Sequence, residues 1–306
     1  MVELSIIIVS WNTRELLLDC LRSLQDEIRG INAQVWVIDN ASTDGSPAAV
    51  RENFPEVNLL VNTENVGFSR ANNQGAAQAS GEVVMFLNSD TVVKPGSVRP
   101  LLSYLQANPG TGACGPLLRN PDGSLQESCY PFPSLSRELW RLLHLDAFLP
   151  YGTYRMGDWD RRVNREVQVI KGACLVVRRD VLERVGTFDP DYFMYTEEVD
   201  LCFRIHRAGW KLFWLPQSEI IHYGGQSTRQ AAPRMFQSLY LTKILFFRKN
   251  YGQLSANLYK LILWVTSWIR IATISLVSLL TGSPKKQFYQ TLKQNYSDLI
   301  KVLPQS

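Results

Sequence analysis

Five stretches of this chain set acids, amides or a histidine where they could do chemistry. Asp39 opens DNASTDGS (39–46) directly after an apolar run. A carboxylate there can accept an N–H from a nucleobase or bind ribose hydroxyls. It can equally serve as a turn carboxylate or a cap for the next helix. Asp44-Gly45 within it reads as a turn pair. ENVGFSRANNQG (64–75) runs from a loop into a helix. Gly67 would let backbone approach a ligand, and the helix N-terminus would favour a phosphate. The plainer reading is a turn glycine with Asn72 and Asn73 on a solvated face. Asn88-Ser89-Asp90 follows another apolar run. Asp90 could hold a divalent cation, Mg²⁺ or Mn²⁺, completed by diphosphate oxygens and water, or be a strand-end turn residue.

The run TEEVD brings Glu197, Glu198 and Asp200 into four residues. Such carboxylates repel one another unless a metal, an arginine or a substrate offsets them. Helical spacing puts Glu197 and Asp200 on one face, with Arg204 one turn beyond Asp200 as the partner in a structural ion pair. Glu198 points elsewhere and is the candidate general base; an acid-rich first helical turn is the plain alternative. His222, one of three histidines, follows a strand-like run in IIHYGGQS (220–227). Its imidazole could bind a metal or a diphosphate, or be structural.

Short strands and helices must position these groups. LSIIIVSWN (4–12) reads as a buried strand; it has no basic flank or cleavage site and is not a signal peptide. A helix follows over 13–27, with Leu16, Leu17, Cys20, Leu21 and Leu24 on one side. Further strands fit 35–39, 57–61, 82–87, 173–177 and 211–215, and helices fit 46–53, 67–79 and Thr196–His206. Pro95 suits the first turn of another helix. The alternation predicts an α/β fold with a mainly parallel sheet. In such sheets ligands sit at the carboxyl ends of strands, so 39–46 and 88–90 should line one crevice. The stretch 117–170 is rich in Pro, Arg and aromatics and carries no readable code.

The 306 residues are 45% apolar and 20% charged, enough for a packed core and against disorder. Five scattered cysteines form no CxxC pair, which argues against a zinc cage and a disulfide framework. Charge is divided. Residues 1–228 carry 21 Lys+Arg against 27 Asp+Glu, whereas 229–306 carry 11 Lys+Arg and one acid, Asp298. A basic, apolar tail suggests a membrane surface rather than nucleic acid. Residues 232–249 look helical, and Leu261–Leu280 is near the ~20 residues that span a bilayer. Arg270 in its middle would cost roughly 2.5–3.5 kcal/mol there. The tail therefore reads as a surface helix over 254–280, with a span or a packed soluble helix as alternatives.

Taken together, VSWN (9–12), DNASTDGS (39–46), NVGFSRANNQG (65–75), FLNSD (86–90), KGACLVVRRDV (171–181), FDPDYFMYTEEVDLCFR (188–204) and IIHYGGQS (220–227) resemble family 2 glycosyltransferases, specifically the rhamnosyltransferase-like branch. The resemblance implies a GT-A fold, an α/β Rossmann-like mixed sheet flanked by helices, over 1–228. A helical, membrane-associated extension would occupy 229–306. It implies an inverting transfer of a sugar, rhamnose in the named branch, from a nucleotide-diphosphate donor to a glycan or polyprenyl-linked acceptor in surface-polysaccharide synthesis. On the residues matched, Asp39 would read the pyrimidine base, with Ser10 and Trp11 backbone flanking the nucleotide. Asn65, Gly67 and Asn72 would shape the donor loop. Asn88, Ser89 and Asp90 occupy the DxD position, with Asp90 and His222 holding a divalent cation and the diphosphate. Glu197-Glu198 stands where the family has Glu-Asp, Glu198 being the base. The implied location is the cytoplasmic face of the inner or plasma membrane, peripheral or held by a single C-terminal anchor.

Three other classes compete. A nucleotidyltransferase would carry a Gly-rich basic loop where this chain reads VSWNTRE (9–15). A non-catalytic sugar-nucleotide-binding protein would not need Asp39, Asp90, Glu198 and His222 together. A Rossmann dehydrogenase needs GxGxxG after the first strand, and none is present.

Overall fold

The computed structural model of the chain describes residues 2–226, 232–280 and 283–305. The first apolar run forms β1 (Leu4–Ser10), buried throughout. Its β-branched residues pack on both faces of the pleat. α1 (Arg14–Glu27) buries Leu17, Leu18, Cys20, Leu21 and Leu24, so Leu18 takes the inward place expected of Leu16. β2 (Ala33–Asp39), α2 (Ser46–Asn53), β3 (Asn58–Val61), α3 (Phe68–Gln78) and β4 (Val83–Asn88) follow. β1 pairs in parallel with β2 and β4, Ser10 opposite Asp39 and Val9 opposite Asn88. That register brings the carboxyl ends of three strands to one edge.

Beyond Asn88 the parallel pattern stops. The chain turns at Ser89-Asp90 into β5 (Thr91–Val93), and Pro95 lies in the loop before α4 (Val98–Ala107), not in its first turn. The reason lies in another helix. The Glu27 carboxylate accepts the N–H groups of Gly96, Ser97 and Val98 at 2.7, 2.7 and 3.2 Å, supplying the acceptors the start of α4 lacks. β6 (Thr111–Arg119) turns back through Asn120–Gly123 into β7 (Leu125–Gln126). The chain continues through β8 (Cys129–Tyr130), α5 (Leu135–Leu142), β9 (Arg165–Val167), β10 (Val169–Ile170), β11 (Cys174–Arg178), α6 (Arg179–Val185), α7 (Glu197–Arg207) and β12 (Lys211–His222).

The main sheet runs β3-β2-β1-β4-β11-β6-β12-β5, with β7 and β9 at its margins. β11 is antiparallel to both neighbours, and β12 is parallel to β6 and antiparallel to β5. The sheet is thus mixed rather than mainly parallel. β12 runs seven residues past the expected 215, and its last residue, His222, stands opposite Thr91. All five cysteines are free and buried. Burial pushes the Cys20 and Cys202 thiols up to about 12, which makes them inert.

Contacts divide the described residues into two units. The first contains 2–132, 154–193 and 197–226, with the sheet. The second contains 133–153, 194–196 and the tail helices α8 (Ala232–Tyr251), α9 (Gln253–Leu280) and α10 (Ser283–Val302). Within the second unit Ile244, Phe247, Tyr259, Leu263, Ile271, Tyr296 and Leu299 form a separate core. Buried Glu138 of α5 meets Lys243 of α8 at 2.9 Å, Arg141 at 3.1 Å and the Tyr259 hydroxyl of α9 at 3.3 Å. Arg270 of α9 turns inward, donating to the Leu142 carbonyl at 2.7 Å and to the Tyr296 hydroxyl. Ser227, the last residue of the His222 motif, and the expected boundary at 228/229 lie outside the described residues.

Candidate active site

The loops after β1 and β2 are laced together. The Asn12 N–H donates to Ser42 Oγ at 2.9 Å, and Asn12 Oδ1 accepts the Thr43 N–H at 2.7 Å. Asp44 caps two helices at once, accepting the Arg14 N–H at the start of α1 (2.8 Å) and the Ser46 N–H at the start of α2 (3.0 Å). Asp39, 1% exposed, uses Oδ2 to accept the Ser42 N–H at 2.9 Å. Its Oδ1 is buried with no hydrogen-bond partner among the described residues. An unsatisfied buried carboxylate oxygen is costly, and a ligand N–H or hydroxyl would relieve it.

The residues expected to shape a donor loop are held by one another. Asn65 Oδ1 accepts the Gly67 N–H at 3.0 Å and an N–H of the Asn40 amide at 2.8 Å. Asn40 Oδ1 in turn accepts the Val66 N–H at 3.1 Å. The Asn72 amide donates back to the Phe68 carbonyl at 3.0 Å. Gly67 has φ +89°, and a Cβ there would stand 2.7 Å from the Phe193 ring and 2.8 Å from its carbonyl oxygen. The backbone that Gly67 admits is therefore that of Phe193. Ser10 Oγ, Thr13 Oγ1 and Ser89 Oγ form a buried hydroxyl chain with 3.0 and 2.9 Å links, so the Ser10 side chain faces inward; Trp11 is half-buried.

At the far side of the β4 edge, Asp90 Oδ1 lies 3.3 Å from His222 Nε2, and Asn88 Nδ2 lies 3.4 Å from the same nitrogen. Asn88 Oδ1 is buried without a partner among the described residues. Among those residues no three His, Cys, Asp or Glu side chains converge as a metal site. The oxygen and nitrogen donors that do converge fit a small divalent cation that takes its remaining ligands from a diphosphate and water. β12 and the β4–β5 turn create this meeting, which the expected strand end at 215 would not reach.

Glu197 is 5% exposed. Burial first, and the neighbouring Glu198 charge second, push its carboxyl well above the usual range. Glu198 is only half-buried and packs beside Gly172, whose missing Cβ would lie 3.5 Å from that of Glu198. Asp200 and Arg204 are ion-paired at 2.7 Å, and the guanidinium also holds the Val185 and Thr187 carbonyls at 2.6 and 2.7 Å. This arrangement ties α7 to the end of α6. Lys171 is a candidate site residue that sequence reading passed over. Burial pulls its ammonium below the ordinary lysine range, opposed by the charges of Glu198, Asp90 and Glu127. One fixed cation therefore lies in the field of both candidate acids.

Among the described residues five non-glycines have positive φ, and four flank these loops: Asn12, Ala41, Tyr195 and Thr196. Tyr195 and Thr196, at φ 72° and 73°, immediately precede the Glu197-Glu198 pair. Such strain concentrates at functional sites. Asn40 and Gln126 were also passed over. The Asn-Pro-Asp-Gly turn (120–123) signals the hairpin that carries Gln126, but nothing in the sequence signals its partners.

Comparison with known proteins identifies the family. The pattern of Glycosyl transferase family 2 matches residues 5–186. The N-acetylglucosaminyl-diphospho-decaprenol L-rhamnosyltransferase of Mycobacterium tuberculosis is 38% identical over 208 residues, 63% of this chain and 67% of that protein. A rhamnosyltransferase of Escherichia coli K12 is 27% identical over 179 residues, 56% of this chain and 66% of that protein. The structure of a Pyrobaculum calidifontis mannosyltransferase with GDP-Man and Mn²⁺ superposes with a TM-score of 0.57 at 20% identity, covering 97% of this chain and 85% of that one. The chain belongs to glycosyl transferase family 2, and it is a rhamnosyltransferase-like glycosyltransferase of the GT-A fold.

Proposed function

We propose that the protein transfers a deoxyhexose, rhamnose, from a pyrimidine nucleotide-diphosphate donor to a polyprenyl-diphosphate-linked glycan, with inversion. The observation that carries this reading is the half-buried ammonium of Lys171, bonded to Gln126 Oε1 at 3.0 Å and in the field of both Glu198 and Asp90. It couples a candidate base to a candidate diphosphate site. The Mycobacterium tuberculosis relative, named for a lipid-diphosphate acceptor and a rhamnosyl donor, supports the substrate classes.

In this reading Asp39 Oδ1 accepts a hydrogen bond from the nucleotide. Glu198 takes the proton from the acceptor hydroxyl as that oxygen bonds to the anomeric carbon. The bond from that carbon to the diphosphate oxygen breaks, and its electron pair leaves with the nucleoside diphosphate. Asp90 and His222 would hold a divalent cation, which supplies positive charge against the leaving diphosphate. Lys171 adds a second, fixed positive charge.

The second unit supports a membrane role. Gln253–Ser278 is long and apolar enough to cross a membrane, with mean hydropathy 1.6. Yet α9 packs on α8 and α10, and Arg270 is turned into that packing. Its outward row of Leu254, Leu258, Leu261, Trp264, Trp268 and Leu276 is exposed and uncharged. This supports a helix lying in the interface plane better than a span.

A thermal-shift panel tests the donor site. UDP-, dTDP- and GDP-sugars are compared with and without Mn²⁺, on the parent and on Asp39→Ala. A donor at 100 times its dissociation constant stabilises by about 2.7 kcal/mol. The expected result is a metal-dependent shift with one pyrimidine donor that Asp39→Ala loses. A shift that Asp39→Ala retains in full would remove Asp39 from the donor site.

A further inference from the structure

Gln126 ends the two-residue strand β7 and is not in any of the stretches that resemble the family. Its side-chain amide nevertheless touches four groups. Oε1 lies 3.0 Å from Lys171 Nζ and 2.6 Å from His222 Nδ1. Nε2 donates to the His222 backbone carbonyl at 3.0 Å and to Asn120 Oδ1 at 2.7 Å. Two of these partners have fixed roles. An ammonium can only donate, and a backbone carbonyl can only accept. Together they settle the amide orientation.

The imidazole follows from the amide. Oε1 accepts, so His222 Nδ1 carries the hydrogen in the 2.6 Å contact. The neutral ring then has its lone pair on Nε2. That nitrogen faces Asp90 Oδ1 at 3.3 Å, with the Asn88 amide at 3.4 Å. A cation between two acceptors this close would relieve their mutual repulsion. Adjacent ligands on a small octahedral ion with bonds of about 2.1 Å stand about 3 Å apart.

We propose that Gln126 is a positioning residue that holds His222 in the tautomer whose Nε2 faces Asp90, with Lys171 and Asn120 holding Gln126 in turn. Gln126 stands behind the ligand, where metal-binding histidines usually have an acceptor for their second ring nitrogen. The inference rests on the reading of Asp90 and His222 as cation ligands. It explains why a hairpin remote in sequence ends on a glutamine at this edge. It also gives the half-buried Lys171 a structural task beyond its charge.

Two measurements on the full-length chain test it. The first is ¹⁵N NMR of histidine-labelled protein at alkaline pH. The chain has only three histidines, so His222→Gln assigns the signal. The expected spectrum has His222 protonated at Nδ1, and Gln126→Leu shifts it toward the other tautomer. Finding Nε2–H in the parent overturns the proposal without any variant at Gln126. The second is Mn²⁺ binding, followed by electron paramagnetic resonance in the presence of dTDP or UDP. Gln126→Leu is expected to weaken Mn²⁺ by about 10–100-fold, and Gln126→Glu, which keeps an acceptor at Nδ1–H, to restore most of it. If Asp90→Ala and His222→Ala lose Mn²⁺ while Gln126→Leu binds it as the parent does, the positioning role alone is overturned. If Asp90→Ala and His222→Ala also bind as the parent does, the cation reading falls and takes this proposal with it.

Discussion

At the first turn of α7, burial separates two carboxyls that the sequence presents as equals. Glu197 is 5% exposed, and burial pushes its carboxyl well above the usual range, which disfavours the ionised form a base needs. Glu198 is half-buried and in the field of Lys171, which makes it the better candidate for the base. Glu198→Gln should lower kcat by about 10²–10⁴-fold while leaving donor affinity unchanged; unchanged turnover would take the role away from it. Glu197→Gln should retain turnover. It should also change the pH dependence of stability. An unfolded glutamate ionises near ~4.3, and the folded value here is higher. The stability Glu197 contributes is therefore full below that pH and lost as pH rises through the folded value. The Tm of Glu197→Gln should gain on the parent as pH is raised from acid to alkaline, and a pH-independent difference would contradict this account. The chemistry-bearing residues of the known motifs were legible because their types are unusual at strand ends. Lys171 and Gln126 were not, because a lysine and a glutamine acquire meaning only from what the fold sets beside them.

Elements carry their own lesson about capping. α1 and α2 both begin without a side-chain cap from their own N-cap residues, Thr13 and Gly45. Asp44 serves both, one oxygen to each helix. Removing a capping acceptor costs about 1 kcal/mol per helix, so Asp44→Ala should lose roughly 2 kcal/mol of stability in urea unfolding. Asp44→Asn keeps one acceptor oxygen and should lose about half as much. Equal losses for the two variants would show that one cap dominates. β1, β2 and β4 were legible from apolar runs bounded by polar clusters, and α1 from its 3.6-residue period. The start of α4 was not, since it depends on Glu27, some seventy residues back. The reversal into the three-residue β5 was hidden too, because so short a strand has no period to read.

On the scale of the whole molecule, the tail sequence announces an apolar helix but not which way Arg270 faces. That required α5 and α10 to supply a carbonyl and a hydroxyl. With the arginine inside, the outward row of α9 is the test surface. Leu261→Glu with Trp268→Glu should reduce co-flotation with anionic vesicles by tenfold or more, without lowering the thermal stability of the protein. Undiminished flotation would exclude this face as the membrane contact. The five buried thiols have a practical consequence. All lie in the unit that holds the sheet, and the helical unit has none. A maleimide dye added to the folded protein should find nothing to label. On warming, dye uptake would time the opening of the catalytic unit alone, while circular dichroism follows both. The natural cysteines thus form a ready-made reporter of whether the two units melt together or in turn.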